Sequence, residues 1–127
     1  MPRTLVSFYQ EKLGEVPVWD WLGELRKRDR KAFAKCVRMV QRLAELGHEL
    51  RRPEADYLRD GIHELRARVG RVNYRLLYFF HGREVAVLAH SLTKEKEVPS
   101  RDIDRAIKRK ERFGNNPEAH TFYGDLT

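Results

Sequence analysis

The hydrophobic period of the chain changes partway along it, and this change constrains the fold more than any other feature. Over residues 30–46 the apolar side chains recur every three or four positions, which is the spacing of one face of an α-helix. Beyond Gly61 they alternate with polar residues, which is typical of β-strands. Because the helical spacing and the strand alternation occur in separate parts of the chain, the sequence predicts an α+β domain.

Two helices are predicted before the change of period and one after the strands. Pro17 suits the first turn of a short helix, and Gly47 suits the end of the longer helix over 30–46. We expect these two to form a hairpin that covers one face of a sheet. Residues 98–113 predict a C-terminal helix, since Pro99 stands at its start and lysines and arginines stand near its end.

The strands are predicted as follows. Residues 4–9 indicate an edge strand, and 62–69, 73–80 and 84–92 indicate an antiparallel meander with turns at Gly70 and at His81-Gly82. Residues 48–61 are polar and contain Pro53, so we expect a connector with little regular structure. Residues 114–127 are expected to be a loosely held polar tail. The whole chain, 1–127, is predicted to be one domain.

Alternation gives the predicted sheet two different faces. Arg66 and Arg68 share one face, together with Glu64 on the same strand and Arg75 on the hairpin partner. The other face is apolar, and its aromatic residues are expected in the core and not on a base-stacking surface: Tyr74, Tyr78 and Phe80. Phe79 falls on the arginine face, and its role is left open.

The charge balance narrows the class of partner. The formal net charge is +7 and the pI is about 9.8, which favours nucleic acid or an acidic protein. Cys36 is the single cysteine, so an intrachain disulfide and a cysteine-based zinc site are excluded. The histidines show no metal-like spacing, and no apolar run reaches the length of a membrane span. We expect a cytoplasmic protein that needs neither metal nor cofactor and does not bind membrane.

Several short motifs follow one another in the second half of the chain. In order, they are Gly61, Glu64-Leu65-Arg66, Tyr74-Arg75, Tyr78, His90, Lys94, Pro99, Ile103 and Ala106. In this order and spacing the chain resembles the RelE/HigB toxin superfamily, especially its phage-derived HigB-like branch, over about residues 4–113. The family often has two adjacent basic residues after the third strand, where this chain has Lys94-Glu95-Lys96.

The resemblance implies a RelE-like fold and a toxin that enters the ribosome. Such a toxin cleaves messenger RNA in the decoding site and is held inactive by a cognate antitoxin. The implied enzyme is a metal-independent endoribonuclease, an mRNA interferase, in which the 2′-hydroxyl attacks the adjacent phosphate.

That chemistry assigns roles to particular residues. Cleavage requires removal of a proton, stabilisation of a phosphorane and protonation of the leaving oxygen, and arginines suit the second task. The candidate catalytic residues are Arg66, Arg68, Arg75, His90 and Lys94. The candidate RNA-binding residues are Lys96, Lys108, Arg109 and Arg112. Ordinary solvated positions are the alternative for the arginines and lysines, and a structural position is the alternative for His90.

Two other functions remain open at this point. One is a toxin of the same fold that inhibits DNA gyrase by binding, as the ParE branch does. The other is a non-catalytic relative that binds nucleic acid or a protein partner.

Overall fold

The computed structural model describes residues 3–93 and 96–126 of the 127-residue chain. The elements follow in chain order: β1 Leu5–Tyr9, α1 Pro17–Arg28, α2 Arg30–Leu46, a 3-10 turn Gly47–Glu49, β2 Ala55–Arg59, β3 Ile62–Val69, β4 Val72–His81, β5 Val85–Thr93, α3 Ser100–Asn115 and β6 Thr121–Phe122. The three predicted helices and the α+β class are confirmed.

The described strands form one six-stranded sheet in the order β2-β3-β4-β5-β1-β6. Strands β2 to β5 are an antiparallel meander, whereas β1 runs parallel to β5 and antiparallel to β6. The prediction that residues 4–9 form an edge strand is therefore wrong, because β1 is paired on both sides. A parallel partner cannot be recognised from local turn residues, since it requires a long connection through other elements.

Helices cover both faces of the sheet. Helices α1 and α2 pack on one face, where buried Leu22 and Leu43 join Leu65 and Leu88 in a single core. Helix α3 packs on the other face, where its buried residues Ile103, Ala106 and Phe113 join a second core. The strands contribute Ile62, Leu77 and Phe79 to this core. We name the side of the sheet that faces α3 the α3 face.

The α3 face, which carries the arginines, is also apolar over much of its area. This corrects the prediction that the sheet has a single apolar face. Phe79 is 1% exposed, and its ring meets that of Phe113 edge-on at 5.3 Å between centroids. Its role, which the sequence left open, is core packing. The uninterrupted apolar run 76–80 in β4 is the pattern of a strand covered on both sides.

The polar connector contains a strand that the sequence did not predict. Residues Ala55–Arg59 form β2 at the edge of the sheet, paired with β3. Arg42 of α2 donates two hydrogen bonds to the Glu54 carboxylate, at 2.9 and 2.8 Å, and this contact lowers the pKa of Glu54. An edge strand rich in charge lacks the alternation of a half-buried strand, which is why its sequence resembled a loop.

The C-terminal segment also has defined contacts, although a loosely held tail was expected over 114–127. Its strand β6 pairs with β1, and the Phe122 ring packs against Trp19 at 5.2 Å and against Phe8 at 6.3 Å. Leu126 packs on the same core. Two aromatic contacts and one short ladder hold this segment in place.

Within the described residues, each helix is too short or too polar to cross a lipid bilayer.

We expect Phe122→Ala to lower the free energy of unfolding by about 2 kcal/mol, because it removes a half-buried ring from two aromatic contacts. The neighbouring Tyr123 is 68% exposed, so Tyr123→Ala should stay within about 0.5 kcal/mol of the parent protein. Urea unfolding of both variants measures the difference. Equal stability of the two would contradict the packing role of Phe122.

Candidate nucleic-acid interface

Two arginines face each other across β3 and β4. The Cα partners are Arg66 and Arg75, and two like charges in this position would repel each other. The Glu64 carboxylate lies between them, with Oε2 at 2.7 Å from Arg75 Nη1 and Oε1 at 2.8 Å from Arg66 Nε. The side chain of Glu64 is only 4% exposed. One buried carboxylate therefore holds two guanidinium groups together on the α3 face.

Arg75 is the more deeply buried of the two arginines. Its side chain is 8% exposed, and its Nη2 donates a 2.7 Å hydrogen bond to the carbonyl oxygen of Lys96. The Lys96 carbonyl belongs to the segment that leads into α3. Arg75 thus joins β4 to the start of the C-terminal helix, which is a structural task.

Arg66 is the more accessible of the pair, with 27% of its side chain exposed. Its Nη2 also lies 3.5 Å from Asp56 on β2, and Asp56 is in turn paired with Arg52 at 2.8 Å. The Nε–H of Arg66 is close to Glu64 but is not aligned for a hydrogen bond. These contacts engage Nε and Nη2 of the guanidinium group.

The Arg66 guanidinium lines an open groove of about 480 Å³. Its other lining residues come from β2, β3, β4 and the region around the start of α3, and they include Arg52, Arg59, Glu64, Arg75, Glu97 and Val98. We name this space the arginine groove. Four arginines and three carboxylates line it, and among these Glu64 and Arg75 are buried.

Arg68 stands apart from this network. It is exposed, it lies opposite Asn73, and its Nε donates a 3.1 Å hydrogen bond to the carbonyl oxygen of Gly70. Of the three arginines proposed from the sequence, the structure brings Arg66 and Arg75 together and leaves Arg68 at the turn.

His90 lies under α3 and has polar partners at both ring nitrogens. Its Nε2 is 2.7 Å from Asp102 Oδ1 in the first turn of α3, and its Nδ1 is 3.4 Å from Arg109 Nη1. Burial lowers the pKa of His90, and Arg109 acts in the same direction, while the hydrogen bond to Asp102 opposes them. Through these two contacts His90 attaches α3 to β5. Its side chain is 14% exposed, so a substrate has little access to the imidazole as a proton acceptor.

Arg109 reinforces this attachment. Its Nη1 donates a 2.7 Å hydrogen bond to the carbonyl oxygen of Ala89, where the β4–β5 register shifts, and its guanidinium lies 5.7 Å above the Tyr9 ring. Arg109 is half-buried, and these contacts hold its side chain between α3 and the sheet. It was proposed from the sequence as an RNA contact; the structure shows internal partners for it, and it also lines a groove beside α3.

The outer side of α3 is basic. A groove of about 450 Å³ is lined by Glu11, Arg101, Asp104, Arg105, Lys108, Arg109 and Arg112. Lys108 and Arg112 are exposed here, and Arg112 is paired with Glu11 at 2.7 Å. Arg101 and Arg105 belong to the same surface and were not singled out from the sequence. We name this surface the α3 basic face.

The loop before α3 carries the remaining predicted residues. Lys96 is exposed, and its carbonyl accepts from Arg75. Lys94 and Glu95 lie outside the described residues.

Sequence reasoning missed the acidic members of the arginine network. Glu64 was assigned to the same face as Arg66, so the alternation already contained the signal that a carboxylate would stand beside the guanidinium groups. Asp56 and Arg52 fell in the segment taken as a connector and carried no such signal. In the part of the chain that the structure describes, no group of three His, Cys, Asp or Glu side chains could hold a metal ion.

Comparison with protein families gives one match. The family described as "Phage derived protein Gp49-like (DUF891)" matches residues 20–111, which include most of α1, the arginine network and most of α3. No curated protein matches the chain significantly.

Replacement of Arg75 tests its structural task. Arg75→Met leaves Glu64 buried with one partner fewer, and we expect the free energy of unfolding to fall by about 3 kcal/mol. Arg68→Ala should change it by less than about 0.5 kcal/mol, since this arginine is exposed. The double variant Arg75→Met, Glu64→Leu should recover part of the loss in chemical denaturation. Equal stability of the Arg75 and Arg68 variants would refute the assignment.

His90 predicts a pH dependence. Burial keeps its folded pKa below the unfolded value of about 6.5, so its contribution to stability is present above that value and is lost as the pH falls through the folded pKa. The stability difference between the parent protein and His90→Gln should therefore be smaller at acidic than at neutral pH in urea titrations. A stability difference that stays constant or grows on acidification would contradict a lowered pKa of His90 in the folded protein.

Proposed function

Because the chain belongs to the Gp49-like family of phage-derived proteins, we propose that it is the toxin of a toxin–antitoxin pair and cleaves messenger RNA on the ribosome. The observation that carries the proposal is Arg66, an arginine held by two carboxylates at the wall of an open groove in which arginines outnumber carboxylates by four to three. A guanidinium fixed in this way is ready to bind phosphate without first losing side-chain freedom.

The proposed reaction needs no metal. The 2′-hydroxyl attacks the adjacent phosphorus, its proton leaves, the bond to the 5′-oxygen breaks and that oxygen gains a proton. Negative charge grows on the non-bridging oxygens in the transition state, and a guanidinium aimed at them stabilises that state more than the ground state. Arg66 is the residue of this network that we assign to the phosphate, while Glu64 and Arg75 hold it in place.

The loop that follows β5 is the proposed source of a second cation. Thr93 pairs with Tyr74, the neighbour of Arg75 in β4, and the Lys96 carbonyl accepts a hydrogen bond from Arg75. Thr93 and Lys96 are therefore both attached near the arginine network. Lys94 falls outside the described residues, and its predicted catalytic role is retained here as part of the proposal.

The α3 basic face is the proposed contact for the RNA backbone. Exposed Arg101, Arg105 and Lys108 can neutralise phosphates without reading sequence, and their contribution should weaken as salt rises. The same cations would suit an acidic segment of a cognate antitoxin. Ribosomal message and antitoxin are both cytoplasmic partners, so the proposal includes that location.

A second function, RNA binding without cleavage, is favoured because both ring nitrogens of His90 have polar partners. Its two nitrogens are engaged by Asp102 and Arg109, and the carboxylate of Glu64 is buried between cations. A protein with this arrangement is suited to bind RNA even if cleavage is absent. Incubation with programmed ribosomes and message separates the two functions, because only the ribonuclease shortens the message.

Replacement of Arg66 tests the ribonuclease proposal. We expect Arg66→Ala to fold and to lower the cleavage rate by about 100- to 1,000-fold, which is the usual loss when one electrostatic donor to a transition state is removed. Primer extension on messages after induction locates the cuts, and purified protein with programmed ribosomes gives the rate.

The matched control is Arg83→Ala, at an exposed position in the turn between β4 and β5. It removes the same charge and should retain cleavage and growth arrest. Full activity of Arg66→Ala would remove Arg66 from the mechanism. Inhibition of DNA supercoiling without any cut in RNA would instead support a gyrase-directed toxin.

A further inference from the structure

An exposed tyrosine stands on the edge strand beside the arginine groove. Tyr57 of β2 is 57% exposed, yet its hydroxyl accepts a 3.0 Å hydrogen bond from the backbone N–H of Gly61. Its ring also meets the His63 ring edge-on, with 5.1 Å between centroids. The ring is therefore fixed in orientation while much of its surface is open to solvent.

The ring that Tyr57 contacts is itself fixed. His63 stacks on buried Tyr78 with centroids 5.2 Å apart and planes inclined by 18°, and it meets the Phe80 ring edge-on at 5.2 Å. Burial lowers the pKa of His63, and nearby His48 and Arg51 act in the same direction, against the weaker opposing charge of Asp56. The imidazole is thus kept neutral near pH 7 and forms part of a continuous aromatic surface.

Tyr57 and His63 lie on the face of the sheet opposite to Arg66, and their surface meets the arginine groove at the edge formed by β2. A second groove of about 400 Å³ is lined by Leu50, Arg51, Arg52, Ala55, Asp56, Tyr57 and His63. Three of these residues also line the arginine groove, namely Arg52, Asp56 and Tyr57. A strand of RNA that crosses the edge of β2 would pass from the guanidinium of Arg66 to the ring of Tyr57.

We propose that Tyr57 and His63 form a base-stacking subsite for a nucleotide next to the phosphate bound by Arg66. The inference rests on the proposed function and adds to it a place for an unpaired nucleobase. Single-stranded RNA is commonly held by bases that stack on aromatic side chains beside a cationic path for the backbone. Arg52, at the boundary of the two grooves, would lie along that path.

The test compares two single-stranded probes of equal length, one an oligoadenylate and the other an abasic phosphodiester of the same charge. Fluorescence anisotropy at fixed salt gives the dissociation constants. Tyr57→Ala should weaken binding of the oligoadenylate by about tenfold and leave the abasic probe unchanged, since stacking requires a base. Tyr57→Phe keeps the ring and should bind nearly as the parent protein does.

Two further variants make the outcome specific. Tyr123→Ala removes a tyrosine of the tail that is 68% exposed, against 57% for Tyr57, and should change neither dissociation constant. Arg66→Ala removes a phosphate contact and should weaken both probes. If Tyr57→Ala weakens neither probe, or both equally, the stacking subsite is wrong. If Arg66→Ala weakens neither probe, the phosphate site of the proposed function is wrong, whatever Tyr57 does.

Discussion

The placement of Glu64 between Arg66 and Arg75 is the interaction on which the rest of the structure depends. Burial of Glu64 and Arg75 costs several kcal/mol per ion unless each finds a partner, and the opposed guanidinium groups of Arg66 and Arg75 would by themselves disfavour the β3–β4 register. Glu64 offsets both costs. Because Arg75 also binds the Lys96 carbonyl, the same network determines where the chain leaves the sheet for α3.

Helix α3 divides its face of the sheet into a covered part and an open part. Ile103, Ala106 and Phe113 pack over the apolar strand centres, while the end of the sheet that carries the arginines stays uncovered. Polar contacts fasten the helix to β5 and β2: His90 with Asp102, Arg109 with the Ala89 carbonyl, and Arg59 with Asp104. This division places a charged groove beside a helix whose outer surface is basic, which is a suitable arrangement for a polyanion.

The sequence predicted the elements with strong periodicity and missed those defined by distant contacts. Helix α2 and the β3–β5 meander could be predicted because their apolar positions repeat regularly. Strand β2 could not, since charged side chains and the Arg42–Glu54 pair position it and its own pattern does not. Alternation placed Arg66 and Arg75 on one face correctly. It could not show that Arg75 is buried or that Arg68 stands apart, because both facts depend on contacts made through Lys96 and Gly70.

The chemistry of the cut ends is the most direct measure of the central claim, that a cationic groove promotes attack by the 2′-hydroxyl on the adjacent phosphate. The measurement is an analysis of the termini made when purified protein acts on message bound to ribosomes. The account predicts a 2′,3′-cyclic phosphate on the upstream fragment, or the phosphate formed when that ring opens, and a 5′-hydroxyl on the downstream fragment. A 5′-phosphate paired with a 3′-hydroxyl would show that water or another nucleophile attacks, and would contradict the account.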